Sequence, residues 1–239
     1  MSTARVVDVE HGLMFDLSDS QYPSAVFGLC GCGRRLSVDT SGTIYGYLLR
    51  GGCEFAVDDR VERVAEGRYF SFPFTRHMEA TDSAVGFFVL RIGYFGLSCI
   101  GGPLEPRGRL KYIDGCSDTL LISPVIKGDP CFNLLHFPPG IDQTKHTHPS
   151  VRVGLIHDGR GLCHTDSGSE PLIAGKMFVL FPGAVHGFST MGTDGMCLTV
   201  YHPDTDFGPS HNDHPMLNRT IVDGISARNI DAIQTKSIE

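Results

Sequence analysis

The chain has 239 residues, 41% of them hydrophobic and 20% charged, with a formal charge of −7. That length allows one large domain or two modest ones. An acidic chain without a run of lysines or arginines excludes nucleic acid and anionic membrane as partners, because both need a basic face.

Twenty-nine glycines and fourteen prolines, with no long helical periodicity, favour short strands joined by turns. The opening stretch MSTARVVDVEHG lacks the apolar core of a signal peptide. A cytoplasmic location and reduced thiols are therefore expected for the eight cysteines. Cys30-Gly-Cys32 is their only close pair, and CxC alone is a weak sign of metal or redox chemistry. Apolar stretches then recur at residues 43–49, 54–57, 69–73, 86–92, 131–137, 152–157, 177–181 and 196–201. Most are five to seven residues long and rich in Val, Ile, Phe, Tyr or Leu, as strands should be. Residues 84–102 are apolar enough to suggest a membrane span, but Arg91 and glycines at 86, 93 and 96 divide them into two buried strands.

The order of these features repeats. Residues 45–73 run strand, Gly51-Gly52, strand, Glu66-Gly67, strand and Pro73, with His77 just beyond. Residues 153–182 run strand, Gly159-Arg160-Gly161, strand, Ala174-Gly175, strand and Pro182-Gly183, with His186 just beyond. An offset close to 108 residues points to an internal duplication. The division falls near residue 125, after a linker-like segment at 111–123, giving units of 1–125 and 126–205. Residues 206–239, with Gly208, Pro209 and Pro215, suggest an extended arm or lid whose His211 and His214 would be able to reach a site.

In Lys145-His146-Thr147-His148, two histidines lie one residue apart, so on a strand both imidazoles point to one face. The pair follows Pro138-Pro139-Gly140, and a third histidine, His186, follows Pro182-Gly183. Histidine is the commonest nitrogen ligand for first-row metals. Gly140, His146 and His148 match in register the first motif of the cupin superfamily, and Gly175, Gly183 and His186 match the second, with its proline moved by one position to Pro182. The chain therefore resembles the cupins over residues 131–201, and in outline over the N-terminal half.

The resemblance implies an all-β fold of two tandem cupin (double-stranded β-helix, jelly-roll-like) barrels. The metal would sit in the second barrel, on His146, His148 and His186. The first would be degenerate, since its expected HxH falls at Val38 and Thr40, and His77 would be a surface or packing residue. The glutamate that often completes such a site is expected at about residue 153, where this chain has Val153, and Thr190 stands for the motif's asparagine. Three neutral histidines with open coordination positions imply a non-haem Fe(II) dioxygenase acting on a small organic substrate with O₂; Zn, Ni, Mn or Cu would also suit the ligands. The alternatives are a non-oxidative metal-dependent isomerase, decarboxylase or lyase, and a small-molecule-binding module without turnover. If Val153 faces the metal, Leu155 and His157 share its face, which makes His157, with His136 and Tyr201, a candidate acid/base group. His202 closes the same strand as Tyr201. Gln143 and Lys145 lie near the mouth, whereas Arg152, alternating away from residue 153, is expected at the surface. A homodimer is compatible with the family.

Overall fold

Glycine-bounded apolar stretches become strands throughout the computed structural model, which describes residues 4–210 and 214–234. The first half contains β1 (Ala4–Asp8), β2 (Gly12–Leu17), β3 (Ser24–Cys30), β4 (Arg35–Val38), β5 (Gly42–Arg50), β6 (Cys53–Val57), β7 (Arg60–Val64), β8 (Tyr69–Phe74), β9 (Met78–Asp82), β10 (Val85–Ile92) and β11 (Cys99–Gly101). The second contains β12 (Leu110–Lys111), β13 (Ser117–Ile122), β14 (Cys131–Phe137), β15 (Arg152–Thr165), β16 (Gly168–Ile173), β17 (Lys176–Leu180), β18 (His186–Ser189) and β19 (Met196–His202). The protein is all-β apart from short helical turns, as expected.

One six-stranded sheet has the order β11-β8-β5-β10-β3-β2, and a four-stranded sheet, β4-β9-β6-β7, closes over it. The large second sheet has the order β1-β17-β15-β19-β14-β13-β12, with β16 and β18 paired to the long β15. The run β8-β5-β10-β3-β2 thus reappears as β17-β15-β19-β14-β13. Its strands β3 and β14 begin at residues 24 and 131, and β8 and β17 at 69 and 176, both 107 apart, beside the 108 expected from sequence.

The sheets do not divide the chain at residue 125. β13 lies in the segment expected to be a linker and β12 runs into its start, yet both extend the second sheet. β1, from the start of the chain, pairs antiparallel with β17, Ala4 opposite Leu180. The apolar stretch at 84–102 forms β10 and β11, and no helix among the described residues is long and apolar enough to cross a membrane. Past His202 the chain forms a five-residue helix, Pro215–Arg219, and a two-stranded ribbon.

Alternation sorts side chains into three cores. The interior of the first unit is filled by aromatic rings: Phe55 lies 4.7 Å from Phe70 and 5.6 Å from Phe72, and Phe27 stacks on Phe88 at 5.0 Å. Each such ring contributes about 1.5–3 kcal/mol by leaving water. The second core lies inside the second unit, around Phe137, Ile156, Phe178 and Leu198. The third lies between the two large sheets, where Tyr45, Tyr47 and Phe87 of one meet Phe132, Val153, Leu155, Val179 and Tyr201 of the other.

Candidate metal centre

The second unit keeps an opening in its interior, and the three expected histidines meet there. Their candidate ligand nitrogens all lie within 4.8 Å of one another, and their ring centroids are 4.5–5.1 Å apart. His146 and His186 sit opposite each other on a small bridge, each backbone amide donating to the other's carbonyl at 2.8 and 3.0 Å. His148 is tied in through its carbonyl, which accepts from Gly183 N at 2.9 Å. Gly183 has φ +76°, a conformation that favours glycine, so the Pro182-Gly183 turn delivers His186 to the other two.

The rings are held in the tautomer a metal needs. His146 Nδ1 lies 2.8 Å from Thr144 O, and His186 Nδ1 lies 2.9 Å from Ala184 O. A carbonyl only accepts, so each Nδ1 carries the hydrogen and each Nε2 keeps its lone pair for an ion. Burial, with Arg152 and the neighbouring histidines, holds His148 down to about 3. Burial, then His146 and Arg152, holds His186 down to about 4, against the opposing bond to Ala184. Both are thus neutral near pH 7. The donor set fits a divalent ion of the zinc, iron or nickel type, bound at about 2.0–2.1 Å.

The surrounding walls differ from the expectation at several positions. Arg152 and Val153 exchange the roles predicted for them. Val153 is fully buried between the sheets, away from the histidines, and Arg152 points into their cavity with its side chain 11% exposed. Strand register gives the reason: Arg152 pairs with Leu180 and Gly154 with Phe178 and Val200, all on the inner face, whereas Val153 pairs with Tyr201. Arg152 therefore occupies the wall where a metal-binding carboxylate was expected. Its Nη1 reaches Asp204 Oδ1 at 3.4 Å, Ser150 Oγ at 2.5 Å and Val151 O at 3.1 Å. Among the described residues its buried Nε has no hydrogen-bond partner.

The same parity moves all three acid/base candidates out of the cavity. His157 follows the outward face of β15, where its ring lies 5.9 Å from Tyr47 and burial lowers its pKa. Tyr201 is completely buried between the sheets, 5.5 Å from Tyr45. His136 turns away between the inward Leu135 and Phe137, into a separate surface hollow with Arg160 and Asp194. Lys145 is exposed, and Gln143 is buried in the wall, accepting from Phe188 N at 3.2 Å. Thr190, at the asparagine position, is a structural brace: its Oγ1 donates to Pro138 O at 2.6 Å and accepts from Ile141 N at 2.9 Å.

Three polar groups join the cavity instead. His202, next to Tyr201 but on the inner face, has its pKa pushed well down by burial and by Arg152. Asp118 and Tyr112 come from the segment expected to be a linker. Asp118 accepts from Asn133 Nδ2 at 2.9 Å, yet burial raises its pKa. Neither residue stood next to a motif; Asp118 is placed by the pairing of β13 with β14, opposite Leu135, and Tyr112 by the turn before β13, where its amide donates to Cys116 O at 3.0 Å. His214 lies elsewhere, at the start of the short helix, where its Nδ1 accepts from Met216 N at 3.1 Å; His211 falls outside the described residues. His77 is tied to Asp39 at 2.7 Å on the first unit, away from the three histidines.

The cavity above the imidazoles measures about 40 Å³. Comparison with known structures then decides the architecture. A cupin 2 conserved barrel domain protein from Leptotrichia buccalis matches 84% of this chain and 89% of its own, with TM-score 0.57 and 14% identity. The fold is that of the cupin barrels. Salicylate 1,2-dioxygenase from Pseudoaminobacter salicylatoxidans superposes with TM-score 0.53 at 10% identity, covering 74% of this chain and 70% of that one. Bacillus subtilis oxalate decarboxylase, which has Mn(II) centres, superposes with TM-score 0.50 at 14% identity, covering 87% and 75%. Within this cupin fold, residues 138–208 match the AraC-like ligand binding domain family. No curated protein sequence matches the chain.

Proposed function

We propose that the chain is a tandem cupin enzyme that holds a divalent metal, Fe(II) foremost, on His146, His148 and His186 and oxidises a small anionic organic substrate with O₂. The observation that carries this reading is the convergence of three imidazoles within 4.8 Å with no carboxylate among them. Such a set leaves the ion's charge uncompensated and its remaining positions open, which favours an anionic ligand from outside. When bound, the metal supplies redox coupling between substrate and O₂.

The chain's own groups supply the rest. Arg152, whose charge is only partly matched by Asp204 at 3.4 Å, offers its unpartnered Nε to a carboxylate or enolate oxygen. Phe137, Phe178 and Phe188 line the cavity and exclude water. A volume of about 40 Å³ has room for about three waters. The substrate is therefore small, or the Tyr112 and Gln143 walls give way to admit it.

A second reading, non-oxidative decarboxylation or isomerisation, is favoured by one observation. Asp118, raised in pKa by burial, and His202 face the same cavity and are able to hold and return a proton. The test is metal analysis by mass spectrometry on protein purified without a metal-affinity tag, with O₂ uptake after anaerobic Fe(II) loading. Uptake on adding small keto or hydroxy acids, lost in Arg152→Met, supports the oxygenase. Turnover of the same acids without O₂ moves the reading to the decarboxylase class. Binding with no turnover in either atmosphere leaves a ligand-binding module.

A further inference from the structure

A second cluster of ligating groups lies in the first unit, outside the cavity just described. His11, Cys30 and Cys32 each place one ligand atom within 4.8 Å of the other two. The chain brings them together by local geometry. β2 runs antiparallel to β3 with Gly12 opposite Gly28, so His11, one residue earlier, lies beside the end of β3 that carries Cys30. A Cβ on Gly28 would fall 2.0 Å from Glu10 O and 2.7 Å from Met14 Sδ, so the segment carrying His11 lies directly against the strand. Gly31, with φ +70°, then turns the chain in a conformation that side chains rarely adopt, and Cys32 returns toward Cys30.

We infer that His11, Cys30 and Cys32 form a second metal site, of imidazole–dithiolate type, for a thiophilic ion such as zinc. The donor set differs in kind from the three-histidine centre. Soft thiolates favour zinc and copper(I) over hard ions such as magnesium and manganese, and two thiolates neutralise a divalent charge that three imidazoles leave bare. Metal–sulfur bonds of about 2.3 Å and a metal–nitrogen bond of about 2.0 Å close the present spacing with small side-chain adjustments. Three protein ligands leave the fourth tetrahedral position to water or an exogenous donor. That position is reachable, because Cys32 is exposed while His11 and Cys30 are half-buried. The site therefore exchanges its ion with solvent and ties the β2 edge to the end of β3. Binding releases the thiol protons, so affinity rises with pH.

Cobalt(II) reports on this site in the full chain, because a thiolate ligand gives a near-ultraviolet charge-transfer band that the three-histidine centre cannot produce. Titration is done anaerobically with a non-thiol reductant. The expected result is a thiolate-to-cobalt band that saturates by two equivalents per chain, the other equivalent going to the three histidines, and is bleached by zinc. Cys32→Ser, at an exposed position that folding tolerates, should abolish the band. His11→Ala should weaken cobalt binding at least about tenfold, since losing a ligand exceeds the loss of a ligand's outer partner. Absence of the band in the parent chain, or its survival in Cys32→Ser, overturns the assignment. So does a Cys30–Cys32 disulfide that persists under reductant.

Discussion

Acidifying the metal-free protein is the most direct test of how the three-histidine cavity is built. Burial is the first cause that holds down His148, His186 and His202; Arg152 adds to it at His148 and His202, and His146 adds to it at His186. In the unfolded chain each imidazole titrates near about 6.5. Below that value the unfolded chain binds protons that the folded chain refuses, so stability falls as pH falls. Each such histidine costs about 1.9 kcal/mol between pH 7 and pH 5. Three together cost about 5–6 kcal/mol, reduced toward about 4 because His148 and His202 are only partly shielded. Asp118 opposes the trend: its raised pKa makes the folded state take up a proton that the unfolded carboxylate does not. The loss is comparable to the whole stability of a typical domain, about 5–15 kcal/mol. Urea unfolding of chelator-treated protein at the two pH values measures it. His202→Gln should recover about 1 kcal/mol or more of the difference. A midpoint that stays level, or a His202→Gln curve parallel to the parent's, would refute the buried, neutral cluster.

Three further outcomes follow from the packing. Asp204→Asn should cost about 3 kcal/mol in urea unfolding by stranding the Arg152 charge, and adding Arg152→Met should return most of it in a double-mutant cycle. Phe55→Ala, in the aromatic interior of the first unit, should cost about 3–5 kcal/mol while iron content after loading stays at the parent level. His146→Ala should lose that iron with the barrel still folded by circular dichroism, whereas His77→Ala should keep it; the reverse result would exchange the roles of the two units.

Much of the fold was legible because hydrophobic period and glycine punctuation are local signals. All eight apolar stretches fall on strands, the one at 177–181 running one residue past its strand, and the starts of equivalent strands lie within three residues of the expected repeat offset. The histidine trio was legible because its residues stand in motifs with fixed spacing. The cavity walls were not, and the reason is parity. A residue's face on a strand is set by its register with neighbours; assigning position 153 to the inside carried His157 with it, and His136 and Tyr201 were assigned to the wrong face on their own strands. Val153, His157, Tyr201 and His136 turned outward, while Arg152 and His202, each one residue from a predicted wall position, turned inward. Asp118 and Tyr112 were hidden for another cause. Residues 111–123 are polar enough to pass for a linker, and only the pairing of residues 117–122 with β14, with the turn that precedes it, makes them a wall.

The placement of β1 bears on synthesis. Residues 4–8 leave the ribosome ahead of β2 to β11, yet their partner is residues 176–180. The first unit is therefore able to fold while this strand waits unpaired, and the loop that finally closes it encloses that whole unit. Until then β17 presents an open edge, the kind of surface on which nascent chains associate. Trimming the chain before residue 9 would leave that edge permanently bare, so such a variant should be prone to aggregation even though no cavity residue has been touched.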